Sequence, residues 1–348
     1  MPALPHFSDR KIVRWGIIGC GNVTEVKSGP GFQQASGSAL VAVMRRDRAK
    51  AADYASRHGV PRFYDDADAL LADKEVDAVY IATHPDSHAD YALKVAAAGK
   101  PAYVEKPMAR NTPECDQMME AFTAARLPLF VAYYRRRMPR FLKVEEIIRS
   151  GALGQITGVN YRLAAPQHIA PSGWRFDAAA AAGGLFVDQG SHVLDLMDYL
   201  LGPVTEPVGH AANIASPYPV EDTVALTFLA GGVPGAMTCN FANIAYEDSL
   251  RISGADGELN FSVFGTEPIR LQTEKGLEHF EGLPPKHVQQ PLIQSAVDEL
   301  LGRGFCPCSG EVARRTTRVI DQVLGGYYGG RGDDFWNRPQ TWPGHRRI

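Results

Sequence analysis

Residues 12–24 read IVRWGIIGCGNVT. The first seven are a short, mostly apolar run of the kind that forms a strand buried on both faces. It stops at Gly19-Cys20-Gly21-Asn22-Val23-Thr24. In such a turn the first glycine permits a sharp reversal, and the second lets backbone come close to a pyrophosphate. A helix starting behind the turn would offer unpaired N–H groups and a positive dipole end to that phosphate. The third position of the pattern is Thr24, where glycine or alanine is usual, so slightly looser strand–helix packing is expected there.

Working outward, strand-like and helix-like segments alternate. Strands are predicted at 40–44, 76–82, 102–104 and 129–132, with helices at 47–58, 66–72, 87–98 and 112–126. Gly59 and Gly99 read as helix stops, and Thr112-Pro113-Glu114 as N-cap, first position and acidic first turn. Strands separated by helices imply βαβ units and a parallel sheet. Near residue 135 the pattern changes. A helix over 140–150 is followed by long alternating strands at 156–163, 223–229, 235–241 and 248–252, and helices are predicted at 190–201, 291–301 and 310–324. The expected fold is an α/β Rossmann doubly wound domain (1–134) followed by an α+β domain with a large, mostly antiparallel open sheet (135–330). An extended C-terminal tail (331–348) would be ordered only if Trp336 and Trp342 find a surface.

Composition agrees with two globular domains: 348 residues, 45% hydrophobic and 22% charged. Lys plus Arg number 36 and Asp plus Glu 39, so the net charge of −3 provides no basic field for nucleic acid. The run Arg135-Arg136-Arg137 is read as lining a cleft or meeting solvent. Five scattered cysteines, Cys20, Cys115, Cys239, Cys306 and Cys308, do not form a disulfide framework, and Cys306-Pro307-Cys308 is too tight for the usual metal spacing. No metal is expected. With no apolar leader and no membrane-length apolar run visible, a cytoplasmic protein without membrane partners is expected.

A dinucleotide binder carries its ribose-reading residue at the end of the second strand. There the chain reads Met44-Arg45-Arg46-Asp47. Arginine grips a 2′-phosphate where an acid would repel it, so Arg45 and Arg46 favour NADP; NAD stays open through Asp47.

Three further segments carry a resemblance. Ile81-Ala82-Thr83-His84-Pro85-Asp86-Ser87-His88 runs out of the strand predicted at 76–82, and Glu105-Lys106-Pro107 follows the one at 102–104. Downstream, Gly183-Gly184-Leu185-Phe186-Val187-Asp188-Gln189-Gly190-Ser191-His192 has the form GGxxxDxGxH, and Val220-Glu221-Asp222-Thr223 opens a strand. Together with the glycine loop these resemble the glucose–fructose oxidoreductase / inositol dehydrogenase (Gfo/Idh/MocA) family from about Arg14 to about Leu324. The resemblance implies a pyridine-nucleotide oxidoreductase acting on sugars, cyclitols or related diols. It implies that Lys106 is the active-site lysine, and that Asp188 and His192 are the catalytic pair. It places Thr83, His84, Pro85 and His88 along the nicotinamide-side loop, and Glu105 beside the nicotinamide. The family usually has asparagine where this chain has Asp86.

The residues suit that chemistry. Oxidising an alcohol requires loss of hydride from carbon and of a proton from oxygen, and histidine titrates in the right range to move the proton. A neighbouring lysine can steady the oxygen. Asp188 and His192, spaced i, i+4, would share one face of a helical turn, leaving Asp188 to orient the imidazole or contact substrate. Trp174 could stack on a sugar and Arg175 bind hydroxyls or a carboxylate; Tyr161 and His168 are weaker candidates. Two alternatives remain: a trans-dihydrodiol dehydrogenase with an apolar pocket, or a non-catalytic NAD(P)-binding regulatory protein. The alternating Val224, Leu226 and Phe228 suggest an apolar sheet face covered by a second copy in a homodimer or homotetramer.

Overall fold

The computed structural model describes residue 7 and residues 10–166 and 173–345. The chain forms two units. The first comprises residues up to Ala109, then Glu114–Met138 and Pro285–Arg314; the second comprises Arg110–Pro113, Pro139–Pro284 and Arg315 onward. The division is therefore less linear than one cut near 134, because 285–314 pack with the first unit. His168 lies outside the described residues.

The first unit runs β1 (Val13–Ile18), α1 (Asn22–Val26), α2 (Gly29–Gln34), β2 (Ser38–Met44), α3 (Arg48–His58), β3 (Arg62–Tyr64), α4 (Ala67–Ala72), β4 (Ala78–Ile81), α5 (His88–Ala97), β5 (Ala102–Val104), α6 (Thr112–Ala125) and β6 (Leu129–Val131). The sheet order is β3-β2-β1-β4-β5-β6, every pair parallel. This is the doubly wound order, with the strand sequence reversing between β1 and β4. The buried apolar runs explain it: Ile17, Ile18, Val79, Tyr80, Ile81, Tyr103 and Val104 are fully covered, which only a sheet with helices on both faces allows. The helix behind the glycine turn is broken into α1 and α2. Pro30, without an N–H, starts α2 and cannot continue α1.

The second unit contains α7 (Pro139–Arg149), β7 (Ile156–Pro166), α8 (Ala178–Ala181), α9 (Ser191–Leu201), β8 (Val204–Ala212), β9 (Thr223–Ala230), β10 (Val233–Asn243), β11 (Glu247–Gly254), β12 (Gly257–Phe261), β13 (Ile269–Thr273) and β14 (Gly276–Phe280). α10 (Gln290–Leu300) returns to the first unit, and α11 (Gly310–Tyr328) begins in the first and ends in the second. The eight strands order as β14-β13-β12-β11-β7-β10-β9-β8, antiparallel except for the parallel pair β7–β10.

Val224, Leu226 and Phe228 correct the expectation about the open face. They are buried within the chain itself, with α9 lying on β8 and β9. The alternate residues Ala225 and Thr227, with Asn160, Arg162 and Thr238, form the uncovered face, which is polar and small rather than apolar. A shallow depression of about 310 Å³ lies there, lined among others by Asn160, Arg162, Thr238 and Glu247. The C-terminal segment does find a surface: Trp342 is buried against Tyr328, its ring centroid 4.6 Å away, and donates Nε1–H to the Phe335 carbonyl at 2.8 Å. Trp336 takes the Arg110 guanidinium over its ring at 3.8 Å.

Candidate active site

In the first unit the glycine loop leaves β1 and folds back on the end of β2. Gly19 and Cys20 donate their N–H groups to the Met44 carbonyl at 2.9 and 3.2 Å. Gly19 has φ +92°, which a side chain rarely adopts, and a Cβ there would meet Thr83 Cγ2 at 2.7 Å. The loop is thereby set against the Thr83–His88 segment that leaves β4. Thr24 is fully buried. Its hydroxyl donates to the Gly21 carbonyl at 2.7 Å and accepts the Gly21 N–H at 3.1 Å, so hydrogen bonds supply the closeness that a glycine would supply by size. Asn22 is exposed and Val23 half-buried.

Gly21 decides whether a dinucleotide fits. A Cβ there would meet nothing nearer than the Gly19 carbonyl oxygen at 3.8 Å. Protein packing does not demand glycine at this position, and the open space beside the backbone is what a pyrophosphate needs. The residues present fit the group.

At the end of β2, Arg45 is half-buried and donates Nη1–H to the Cys20 carbonyl at 3.2 Å, while Arg46 is exposed. Asp47 caps α3: one carboxylate oxygen accepts the Lys50 N–H at 3.1 Å and the other pairs with Lys50 Nζ at 3.1 Å. The backbone N–H of Lys50, followed by its side chain, holds the Asp47 carboxyl below the usual range.

His84 is exposed and Pro85 buried. His88 is completely buried, with Nδ1 2.9 Å from the Pro107 carbonyl and Nε2 3.1 Å from the Thr83 carbonyl. Burial lowers its pKa against the pull of those carbonyls. Its visible work is to brace the Thr83 segment against the Glu105-Lys106-Pro107 segment. Glu105 likewise points inward. It accepts the Tyr80 hydroxyl and Gln289 Nε2, both at 2.6 Å, and the Lys106 N–H at 3.2 Å. Neither Tyr80 nor Gln289 was legible as a partner, since Gln289 stands 184 residues away in sequence. Lys106 follows β5 on a half-buried position before a cis Pro107.

In the second unit Trp174 is half-buried and Arg175 exposed. The Arg175 guanidinium lies over the Trp174 ring at 4.4 Å and donates Nε–H to Asp188 Oδ2 at 3.0 Å. Phe186–Gly190 is a single π turn rather than an α turn, running directly into α9. Asp188, 20% exposed, sits in this turn four residues before His192. His192 sits at the start of α9, 5% exposed, with the Phe264 ring edge-on at 6.3 Å. Tyr161 is buried and donates its hydroxyl to Asp248 Oδ1 on the neighbouring strand at 2.9 Å, so it belongs to the sheet. Among the described residues, no group of three or more His, Cys, Asp or Glu is arranged to hold a metal ion.

Sequence reading missed the residues behind the π turn. Gly183 has φ +148° and Gly184 lies against Glu221, where a Cβ would meet the Glu221 carbonyl oxygen at 2.5 Å. Glu221, fully buried, accepts the Gly184 N–H with both oxygens at 2.9 and 3.0 Å. The neighbouring Asp222 accepts the N–H groups of Ile214, Ala215 and Ser216.

Two family profiles match the chain: an oxidoreductase family with an NAD-binding Rossmann fold over residues 13–133, and a GFO/IDH/MocA C-terminal domain over 141–260. Oxidoreductase P35 of Formosa agariphila is 36% identical over 318 residues, covering 90% of this chain and 98% of that protein. The 1,5-anhydro-D-fructose reductase of Ensifer adhaerens is 25% identical, over 86% of this chain and 91% of that one. A solved levoglucosan dehydrogenase, in complex with NADH and levoglucosan, has the same fold at a TM-score of 0.81 and 21% identity, covering 90% of this chain and 96% of its own. The chain belongs to the Gfo/Idh/MocA family of oxidoreductases, with an NAD-binding Rossmann domain followed by that family's C-terminal domain.

Proposed function

We propose that this oxidoreductase interconverts a hydroxyl and a carbonyl on a sugar, cyclitol or related polyol, with NADP as the preferred nucleotide. The observation that carries the reaction is the π turn: it sets Asp188 against Arg175 and starts α9 at a nearly buried His192. The relatives named for anhydrofructose and levoglucosan supply the substrate class. The nucleotide preference rests on Asp47, whose two oxygens are engaged with Lys50, while Arg45 leans over the loop and Arg46 stands exposed.

The backbone at Gly19, Gly21, Asn22, Val23 and Thr24 holds the pyrophosphate, and Arg45 and Arg46 hold the 2′-phosphate. Thr83, His84 and Pro85 flank the nicotinamide, with His88 and Glu105 fixing that segment and Lys106 from inside. The bound nicotinamide supplies or takes the hydride. In the reducing direction His192 gives a proton to the carbonyl oxygen as its carbon gains the hydride; in the oxidising direction it removes the hydroxyl proton. Lys106 contributes an ammonium that can donate to a substrate oxygen and stabilise developing charge. Asp188 orients the imidazole or meets a substrate hydroxyl, and Trp174 and Arg175 border the sugar. All five cysteines are buried thiols, which fits the reduced cytoplasm. We place the homo-oligomer contact on the polar open face of the eight-stranded sheet.

The test is a panel of keto-sugars, inosose and 1,5-anhydrofructose with NADPH and NADH, read as nucleotide oxidation, beside dissociation constants for both nucleotides. Turnover with at least one polyol-derived carbonyl and tighter NADPH binding are expected. Tight nucleotide binding with no turnover on any member would favour the regulatory reading.

A further inference from the structure

The backbone at Ala182–Gly184 leads into the π turn, and it is held from behind by side chains with no part in the proposed chemistry. Arg331 donates Nη1–H to the Ala182 carbonyl at 2.7 Å. The same guanidinium donates Nη2–H to the Arg110 carbonyl at 2.9 Å and pairs through Nε with Asp321 at 2.8 Å. Its side chain is only 1% exposed and lies 4.3 Å from the Phe335 ring centroid. Tyr328, also buried, donates its hydroxyl to Glu221 Oε2, on the carboxylate that receives Gly184 N–H. Burial pushes the Glu221 carboxyl up, and the Tyr328 and Gly184 donors pull against that shift.

A fully buried guanidinium and carboxylate are costly to desolvate, and apolar residues of similar size would fill the volume at lower cost. Directional bonds to one carbonyl and one N–H provide orientation, which apolar packing does not. Both bonds fall on the two residues bracketing Gly183, whose φ of +148° makes it the pivot of the segment. Catalysis tolerates little displacement of an acid–base group, since a shift of about 1 Å can cost ~10²-fold in rate.

We infer that Tyr328 and Arg331, in the C-terminal segment, are positioning residues for the turn that carries Asp188 and His192, acting through Glu221 and the Ala182 carbonyl. The inference rests on the reading that this turn works in turnover.

The test uses full-length Tyr328→Phe and Arg331→Lys, with His192→Ala as the reference. Tyr328→Phe removes one hydroxyl, so its folding is retained even if Arg331→Lys folds poorly. Amide hydrogen exchange over 184–192 is followed without substrate. Turnover is followed with the carbonyl found active in the panel, using deuterated and ordinary nicotinamide. Expected results are faster exchange confined to 184–192, kcat lower by roughly 10-fold, KM and NADPH affinity within about twofold, and a larger primary isotope effect. A purely structural role would not selectively slow hydride transfer. Unchanged exchange over 184–192 overturns the inference. So does faster exchange with unchanged kcat where His192→Ala is inactive. An active His192→Ala breaks the functional reading instead, and the exchange data still decide whether these side chains hold the turn.

Discussion

Two glycine-rich turns serve this chain in opposite ways. In the loop at 19–24, a Cβ on Gly21 would meet nothing within 3.8 Å, so the backbone stands open to something outside the protein. In the turn at 182–192, a Cβ on Gly184 would meet the Glu221 carbonyl oxygen at 2.5 Å, so the backbone is closed against the protein's own side chain. The open turn leaves space beside its backbone, whereas the closed one gives its Gly184 N–H to the Glu221 carboxylate. The same residue type in a similar pattern thus leaves the backbone open in one unit and packs it against a buried carboxylate in the other.

The largest expected effect lies at the far end of the closed turn. His192→Ala should lower kcat by about 10²–10⁴-fold, the usual contribution of general acid–base catalysis, with NADPH affinity near that of the unaltered chain. A variant retaining more than about a tenth of the rate would remove His192 from the mechanism. Next comes the paired glycine substitution. Gly184→Ala should destabilise the fold by about 3 kcal/mol, because backbone must move to admit the methyl. Gly21→Ala should cost at most about 1 kcal/mol, the penalty of alanine at a helix N-cap, yet weaken NADPH by roughly 10-fold or more. Thermal unfolding and nucleotide titration of both variants would separate them. The contrast fails if Gly21→Ala melts early while binding nucleotide normally.

These two turns also show what was legible beforehand. Both glycine patterns stood out in the sequence, and so did the parallel strands, since Val79, Tyr80 and Ile81 form a run that only a doubly covered sheet buries. The strand Arg62–Tyr64 was invisible because three partly exposed residues at a sheet edge have no periodicity to read. Alternation in β9 revealed two faces but not what covers each, so Val224, Leu226 and Phe228 were given to a second copy when the chain's own helix covers them. Glu221 lies 37 residues from Gly184, Tyr328 lies 107 from Glu221, and Arg331 lies 149 from Ala182. Local patterns carry no information across such separations. The catalytic candidates were therefore readable and the side chains behind them were not.

At the open turn the next effect concerns which nucleotide enters. Arg45→Ala with Arg46→Ala should weaken NADPH by about 10- to 100-fold, the loss of charge-assisted bonds worth ~1.5–3 kcal/mol, and leave NADH nearly unchanged. Similar NADPH and NADH affinities in the unaltered chain would show that Asp47 reads the ribose despite its engagement with Lys50.

The smallest effect sits just behind the open turn and tests whether that turn is held by charge. Glu25 on α1 takes the Arg57 guanidinium on both oxygens, at 2.8 and 2.9 Å, and the His58 ring at 2.7 Å. These partners, Arg57 foremost, lower the Glu25 carboxyl to about 2. A folded-state pKa below the unfolded value of 4.5 contributes stability that is present above pH 4.5 and lost as the pH falls toward 2. With a third of the side chain exposed, solvent screening reduces that contribution to about 1 kcal/mol. Urea unfolding of the native chain and of Glu25→Gln should therefore differ by about 1 kcal/mol at neutral pH, with the gap shrinking below 4.5 as the unfolded chain takes up the proton and closing as the pH approaches 2. High salt should shrink the neutral-pH difference as well. A gap that stays constant from neutral to acid pH would mean that α1 is held by the Tyr54 hydroxyl bond to the Thr24 carbonyl and by packing, with the ion pair contributing nothing.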